Sequence, residues 1–203
     1  MFLSFIFTAL LSLASPIQGD TVKTQPIGVI ITPFGEILIE LHEQTPKHKE
    51  SFIQLAEGGY WDSLTFNRVV PNFVAQGGCP DTEEGFNDPE YLLEPEFSDE
   101  LKHVYGAVGA GRDDNLDKTS ARCQFYIVQN KDGLARLDGD YTVFGQVIFG
   151  MEIINKITAI PRNVDDSPKI EIPMKVTVIY LDPLEVINIK TKGAVKPTIA
   201  ENF

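Results

Sequence analysis

Arg68 is the side chain whose chemistry fits its surroundings least. It sits in the stretch Phe66-Asn67-Arg68-Val69-Val70-Pro71-Asn72-Phe73-Val74-Ala75-Gln76-Gly77-Gly78, among apolar and aromatic residues with the pattern of a strand. A guanidinium stays charged wherever it lies, because its pKa is above about 12. It must reach water, pair with an acid, or wait for a ligand in a half-dry cleft. In the last case its chemistry is electrostatic, a fixed cation donating charge-assisted hydrogen bonds to a bound group. Pro71 cannot donate to a ladder, so pairing is expected to break there. Such a break resets the side-chain alternation and lets Arg68 and Phe73 face one cleft despite their odd separation.

The other reactive residue types are less informative. His42 stands at a strand end and His48 on the polar side of a helix, and solvated surface is the expectation for both. Cys79 and Cys123 have neither a CxxC partner nor a His at metal-ligand spacing, so no metal site is expected. An oxidising compartment would permit them to bridge, but a count of two is weak evidence, and separate thiols are the expectation. Nine acids between Cys79 and Glu100, uninterrupted by Lys or Arg, lack the order of a calcium loop and read as a solvated surface loop. Asp113, Asp114, Asn115 and Asp117 likewise lack a bidentate Glu and are expected to hold no cation.

The elements that must position these groups are mostly short strands. Residues 27–32 and 36–41 form a hairpin around Pro33 and Gly35, the second strand alternating Glu36, Leu38 and Glu40 against Ile37, Ile39 and Leu41. Thr45-Pro46 opens a helix as N-cap and first residue, and Gly58-Gly59 ends it. Further strands are expected over 65–70, 104–111, 124–128 and 175–181, a turn and another strand within 137–147, and a second helix over 151–157. The small residues of 104–111 suit close approach by another backbone. Many strands with two helices predict an all-β fold, a closed barrel plugged by helices, and no crossover helices argue for a parallel sheet.

With 203 residues, 43% hydrophobic and 23% charged, the chain suits one globular domain. A formal charge of −12 repels a phosphate backbone, which excludes nucleic acid as the expected partner. Residues 1–15 are an uncharged apolar run, too short to span a bilayer, with small residues near plausible cleavage points. They predict a signal peptide over 1–19, an extracytoplasmic protein (periplasmic or secreted), and no stable membrane insertion after cleavage, although no basic residue precedes Lys23. The domain then covers 20–182. No core pattern follows Asp182-Pro183, so 183–203 is expected to be a peripheral or disordered tail.

The 66–78 stretch resembles the signature of the cyclophilin-type peptidyl-prolyl isomerases. Three further blocks follow in the family's order: Gly106 to Gly111, Gln124-Phe125-Tyr126-Ile127, and Leu137-Asp138-Gly139 with Val143-Phe144-Gly145. The likeness spans roughly residues 25 to 182. Tyr126-Ile127-Val128-Gln129 and Asp140-Tyr141-Thr142 look closest to bacterial exported members. The resemblance implies a closed eight-stranded antiparallel barrel with two capping helices and a groove on its outer face. It also implies cis/trans isomerisation of X-Pro bonds in proline-containing, flexible polypeptides, by a monomer and without cofactor.

By position, Arg68 matches the family's catalytic Arg and Gln76 the Gln that orients it. Phe73, Val74, Tyr126 and Leu137 match the pocket for the proline ring, with Tyr141 at its rim. Ala110, Gly111 and Gln124 match the wall along the preceding peptide. Several positions depart from the pattern. Asn67 replaces a His, Val74 a Met, and Tyr126 a Phe, whose added hydroxyl must reach water or a partner. Arg136 stands where Trp or His is common, which argues against binding of the cyclosporin class. Arg122-Cys123 replaces a Gly-Ser, at a cost of about 1 kcal/mol or more if φ there is positive.

Overall fold

Period-two alternation builds most of this molecule, and the computed structural model describes residues 23–62, 64–79 and 91–192. The expected signal peptide lies outside the described residues. β1 (Gln25–Thr32) and β2 (Gly35–Leu41) form the hairpin turned at Pro33-Phe34. After α1 (Pro46–Glu57) come β3 (Thr65–Val69), β4 (Val74–Gly78), β5 (Leu92–Leu93), β6 (Ala107–Ala110), β7 (Ser120–Ala121) and β8 (Gln124–Val128). A 3-10 turn (Ala135–Leu137), β9 (Val143–Phe149), α2 (Met151–Thr158), β10 (Lys175–Leu181) and α3 (Pro183–Lys192) complete the order.

Eight strands make one antiparallel sheet in the order β10-β1-β2-β9-β6-β8-β4-β3, while β5 and β7 pair separately. The expected closed barrel is not a continuous ring of ladders. β3 meets not β10 but the segment just before it, at an isolated bridge of Thr65 with Pro173, beside bonds from Phe66 N to Ile172 O (3.0 Å) and Met174 N to Leu64 O (2.9 Å). Pro173 has no N–H to extend that contact into a ladder.

Inside the curl, Ile30, Ile37, Ile39, Phe66, Phe125 and Ile127 pack against Phe52 of α1, Trp61, and Ile154 and Ile157 of α2. Burying each such side chain contributes roughly 1.5–3 kcal/mol. The outer face of β1 and β2 is also apolar: Ile27, Val29 and Leu38 lie under Val186 and Ile189 of α3. This corrects the expectation of a peripheral or disordered tail for residues 183–192, while 193–203 lie outside the described residues. Asp182 Oδ1 accepts from Leu184 N (2.8 Å) and Glu185 N (2.9 Å), and Glu185 Oε2 accepts from Asp182 N (2.8 Å). That is a capping box with Pro183 at the first helical position.

Thr45 does not cap α1 with its side chain; its hydroxyl turns back to His42 O. Glu96 caps instead, accepting from Lys47 N and His48 N, both at 3.0 Å. His48 is buried rather than solvated, its Nδ1 2.6 Å from Glu96 Oε2 and its Nε2 2.8 Å from Ser120 Oγ. Burial lowers the pKa of His48 against the opposing pull of Glu96, so a neutral ring donates to the carboxylate and accepts from Ser120. Although the three groups line up like a hydrolytic triad, Ser120 is only 2% exposed and no substrate reaches it. The acidic stretch therefore has a structural member in Glu96; residues 80–90 lie outside the described residues. His42 is half-buried.

Cys79 and Cys123 form a disulfide with their Cα atoms 5.4 Å apart, against the expectation of separate thiols. The strand expected over 104–111 is confined to Ala107–Ala110, since the chain turns at Gly106 with φ +81°. Arg122 carries no positive φ, so the strain conditionally expected there is absent. Its guanidinium lies on α1, donating to Ser51 Oγ (3.3 Å) and Gln54 Oε1 (3.4 Å).

Candidate active site

The groove begins with the β3–β4 hairpin. Pro71-Asn72 does more than interrupt pairing: the chain reverses there, with Asn72 at φ +57° and Val70 N bonded to Val74 O (2.9 Å). The reversal places Arg68 directly across from Gln76, and a register shift between Phe66 and Arg68 alters the alternation. Phe73 then lies under the guanidinium, Cζ standing 5.5 Å from its ring centroid. That bulge precedes Arg68, so it is the reversal at Pro71-Asn72, as expected, that brings Phe73 to the side of Arg68.

Arg68 Nη1 donates to Gln76 Oε1 at 3.4 Å, and Gln76 Nε2 donates to Gln124 Oε1 at 2.8 Å. On its other side Arg68 Nη2 is 3.6 Å from Asp166 Oδ2, a carboxylate shared with Arg162 Nε at 2.8 Å. One charge is thus fixed by a chain of amides on one flank and a shared acid on the other.

The floor is apolar. Val74, Tyr126 and Leu137 are buried there, with Phe73 and Tyr141 half-buried against them. Together with Arg68, Gln76, Gly111, Arg112 and Arg136 they bound a cavity of about 460 Å³. Tyr141 meets Tyr126 edge-on, centroids 6.0 Å apart at 82°. A Cβ at Gly109 would lie 2.2 Å from Tyr126 Cζ, and one at Gly111 would lie 2.4 Å from Gln124 Oε1. Gly109 and Gly111 therefore admit side chains of β8, not another backbone.

The Tyr126 hydroxyl finds its partner away from the groove. It lies 2.8 Å from His103 Nε2, while His103 Nδ1 is 2.7 Å from Asp138 Oδ1. Burial lowers the His103 pKa despite Asp138 and raises that of Tyr126 well above its ordinary value. Burial would raise Asp138, but its hydrogen bonds from His103 outweigh this and lower it. The ring is consequently neutral, donating to Asp138 and accepting from Tyr126, which locks the floor's central aromatic.

Of the expected site residues, Arg68, Phe73, Val74, Gln76, Gly111, Tyr126, Leu137 and Tyr141 surround one cavity. Ala110 and Gln124 do not line it. Ala110 is buried in β6, and Gln124 acts at one remove through Gln76. Sequence reasoning missed His103 and Asp138, which no local spacing connects, and read Arg112 only as the start of a polar loop.

This arrangement coincides with a family signal along the chain. A model of the family described as cyclophilin type peptidyl-prolyl cis-trans isomerase/CLD matches residues 28–179. The chain belongs to the cyclophilin family. Among curated relatives, peptidyl-prolyl cis-trans isomerase-like 2 of Rhizopus delemar is 34% identical over 167 residues, covering 81% of this chain and 31% of the relative. The isomerase ppi1 of Schizosaccharomyces pombe is 36% identical over 140 residues, covering 68% of this chain and 88% of the relative. The chain thus spans under a third of the length of the first of these, 31%. A crystal structure of a cyclophilin-type isomerase from Cryptosporidium parvum, obtained in the presence of the dipeptide Ala-Pro, superposes with TM-score 0.68. It is 28% identical, covering 75% of this chain and 98% of that one. These relatives are eukaryotic and lend no support to the bacterial exported branch.

Proposed function

We propose that this cyclophilin isomerises X-Pro bonds in flexible polypeptides, as a monomer, with Arg68 assisting and no cofactor taking part. The observation that carries the reading is the Arg68 guanidinium held by Gln76 at the edge of an apolar floor. Rotation about a peptide bond breaks amide resonance, against a barrier of about 18–20 kcal/mol. In the twisted transition state the prolyl nitrogen becomes pyramidal and gains a lone pair. Arg68 donates to that lone pair, an interaction absent from the planar ground state, so it lowers the barrier instead of merely tightening binding.

A rate gain of about 10⁵ requires roughly 7 kcal/mol. One charge-assisted bond supplies only about 1.5–3 kcal/mol. The remainder falls to the floor, where Phe73, Val74, Tyr126 and Leu137 hold the proline ring and displace water from the amide. The test is isomerisation of a proline tetrapeptide, followed by NMR exchange and by protease coupling. Arg68→Ala should lose most of the acceleration while the peptide still binds. Full activity in that variant would sink the mechanism, and binding without acceleration by the unaltered protein would leave a binding module.

Export is part of the proposal. It is supported by the apolar run at residues 1–15 and by the Cys79–Cys123 bridge, a bond that persists in oxidising compartments. Its clients would then be exported polypeptides. N-terminal sequencing of extracellular material tests this: cleavage near residue 19 is expected, and an intact Met1 in the cytoplasm would refute it.

A further inference from the structure

Two guanidiniums in the groove play no part in the isomerisation chemistry just described. Arg112 sits at the Tyr141 end, Cζ 4.5 Å from that ring's centroid. Its Nε and Nη1 are tied to the carbonyls of Asp140 (3.0 Å) and Asp113 (2.8 Å). Arg136 sits at the Phe73 end, Cζ 4.9 Å from the ring that also carries Arg68. Neither Arg112 nor Arg136 has a carboxylate within ion-pair distance among the described residues. The nearby acids have other direct partners: Asp138 pairs with His103, Asp140 with Lys118, Asp166 with Arg162 and Arg68, and Asp113 Oδ1 accepts from Asn115, while Asp140 feels the Arg112 charge only at longer range.

On a chain whose formal charge is −12, this leaves a locally cationic groove over an apolar floor. Low-dielectric walls strengthen such a field, and a guanidinium presents paired donors that match a carboxylate or a phosphoryl group. A neutral peptide leaves both cations without a carboxylate at ion-pair distance. An anionic side chain beside the proline answers them with no rearrangement of Arg112, which backbone carbonyls and Tyr141 already hold in place.

We propose that Arg112 and Arg136 make the groove selective for prolines flanked by an anionic side chain, carboxylate or phosphoryl. This deepens the isomerase reading and rests on it. The selectivity belongs to the chain's own rim, while the proline pocket and Arg68 perform the rotation.

The experiment compares peptides that differ only beside the proline, Glu against Gln and phosphoserine against Ser, placed before and then after it. For each pair, kcat/KM is read by NMR exchange at low and at physiological salt. The anionic member should be favoured by about fivefold to tenfold at low salt, less at high salt, since partly exposed pairs are screened. Arg112→Gln and Arg136→Gln should each shrink that ratio and the double variant bring it near one, with Arg112→Lys and Arg136→Lys retaining part. Ratios within one preparation are independent of the fraction folded. Preference for either anion supports the proposal and names the chemistry of the natural flank. A ratio of one or below in the unaltered protein, or a ratio unchanged in the double variant, overturns it. If no peptide is isomerised, the isomerase reading fails instead; chemical-shift titration of the same pairs then decides the selectivity, equal affinity overturning it.

Discussion

Gln124 holds Gln76, and through it Arg68: the Gln76 amide donates to Gln124 Oε1 at 2.8 Å while its oxygen faces Arg68 Nη1 at 3.4 Å. With the amide nitrogen committed, the oxygen has one direction left. Gln124→Leu removes the acceptor and frees the amide to rotate. A lost hydrogen bond of about 1 kcal/mol corresponds to roughly a fivefold fall in kcat, with KM for a short peptide little changed. Gln124→Glu restores an acceptor and should recover most of the rate. Equal losses in the two variants, measured by protease-coupled assay, would remove Gln124 from this positioning role.

The Cys79–Cys123 bridge spans 44 residues of sequence and leads directly into Gln124. Closing a loop of that length stabilises the chain by about 4 kcal/mol on loop entropy, and typical measured values run about 2–4. Replacing both cysteines with Ala should lower the denaturation free energy by that amount. Reduction of the unaltered protein should do the same, while the double variant should show no response to reductant. A variant that melts with the oxidised protein would show the bridge to be energetically idle.

Two neutral histidines make stability depend on pH. His48 and His103 both have pKa values below the ordinary 6.5, chiefly because each is buried. Their contribution is therefore complete above about pH 6.5. It is lost as pH falls, because the unfolded chain takes up protons that the folded chain resists. Each unit of depression corresponds to about 1.4 kcal/mol. Glu96 and Asp138, held below 4.5 and 3.8 by their hydrogen bonds against burial, extend the loss into the acid range. Urea titrations from pH 8 to pH 4 should show a plateau and then a decline, less steep in His48→Gln. A stability that rises between pH 6.5 and pH 5 would contradict both assignments.

The groove was legible in the sequence to the extent that it is local. Arg68, Phe73, Val74 and Gln76 share one hairpin, so their types and order carried the reading, and Tyr126 and Leu137 followed from blocks in the same order. What escaped depends on topology. Glu96 reaches His48, and Asp138 reaches His103, only after strands distant in sequence are laid together. A pair of cysteines says nothing of the Cα separation that decides a bridge. The third helix does have local signals: Asp182, Pro183 and Glu185 have the spacing of a cap, and β1 is apolar on both faces, which demands cover on both.

That cover supplies the last prediction. Val186 and Ile189 are buried on Ile27, Val29 and Leu38, and Lys190 Nζ meets Glu40 Oε2 at 2.7 Å. No α3 residue lines the groove. Truncating both side chains to Ala leaves a gap at the rim of a packed layer, where relaxation is easier than in a deep core. A loss of about 1–2 kcal/mol per site is expected, below the range for fully enclosed Ile. Activity per folded molecule should not change, since β1 and β2 reach the groove only through β9 and β6. Chemical denaturation measures the first effect and NMR exchange on a proline peptide the second. A variant with native stability would show that α3 rests on the sheet without stabilising it, and a variant equally stable but slower would tie the helix to the groove.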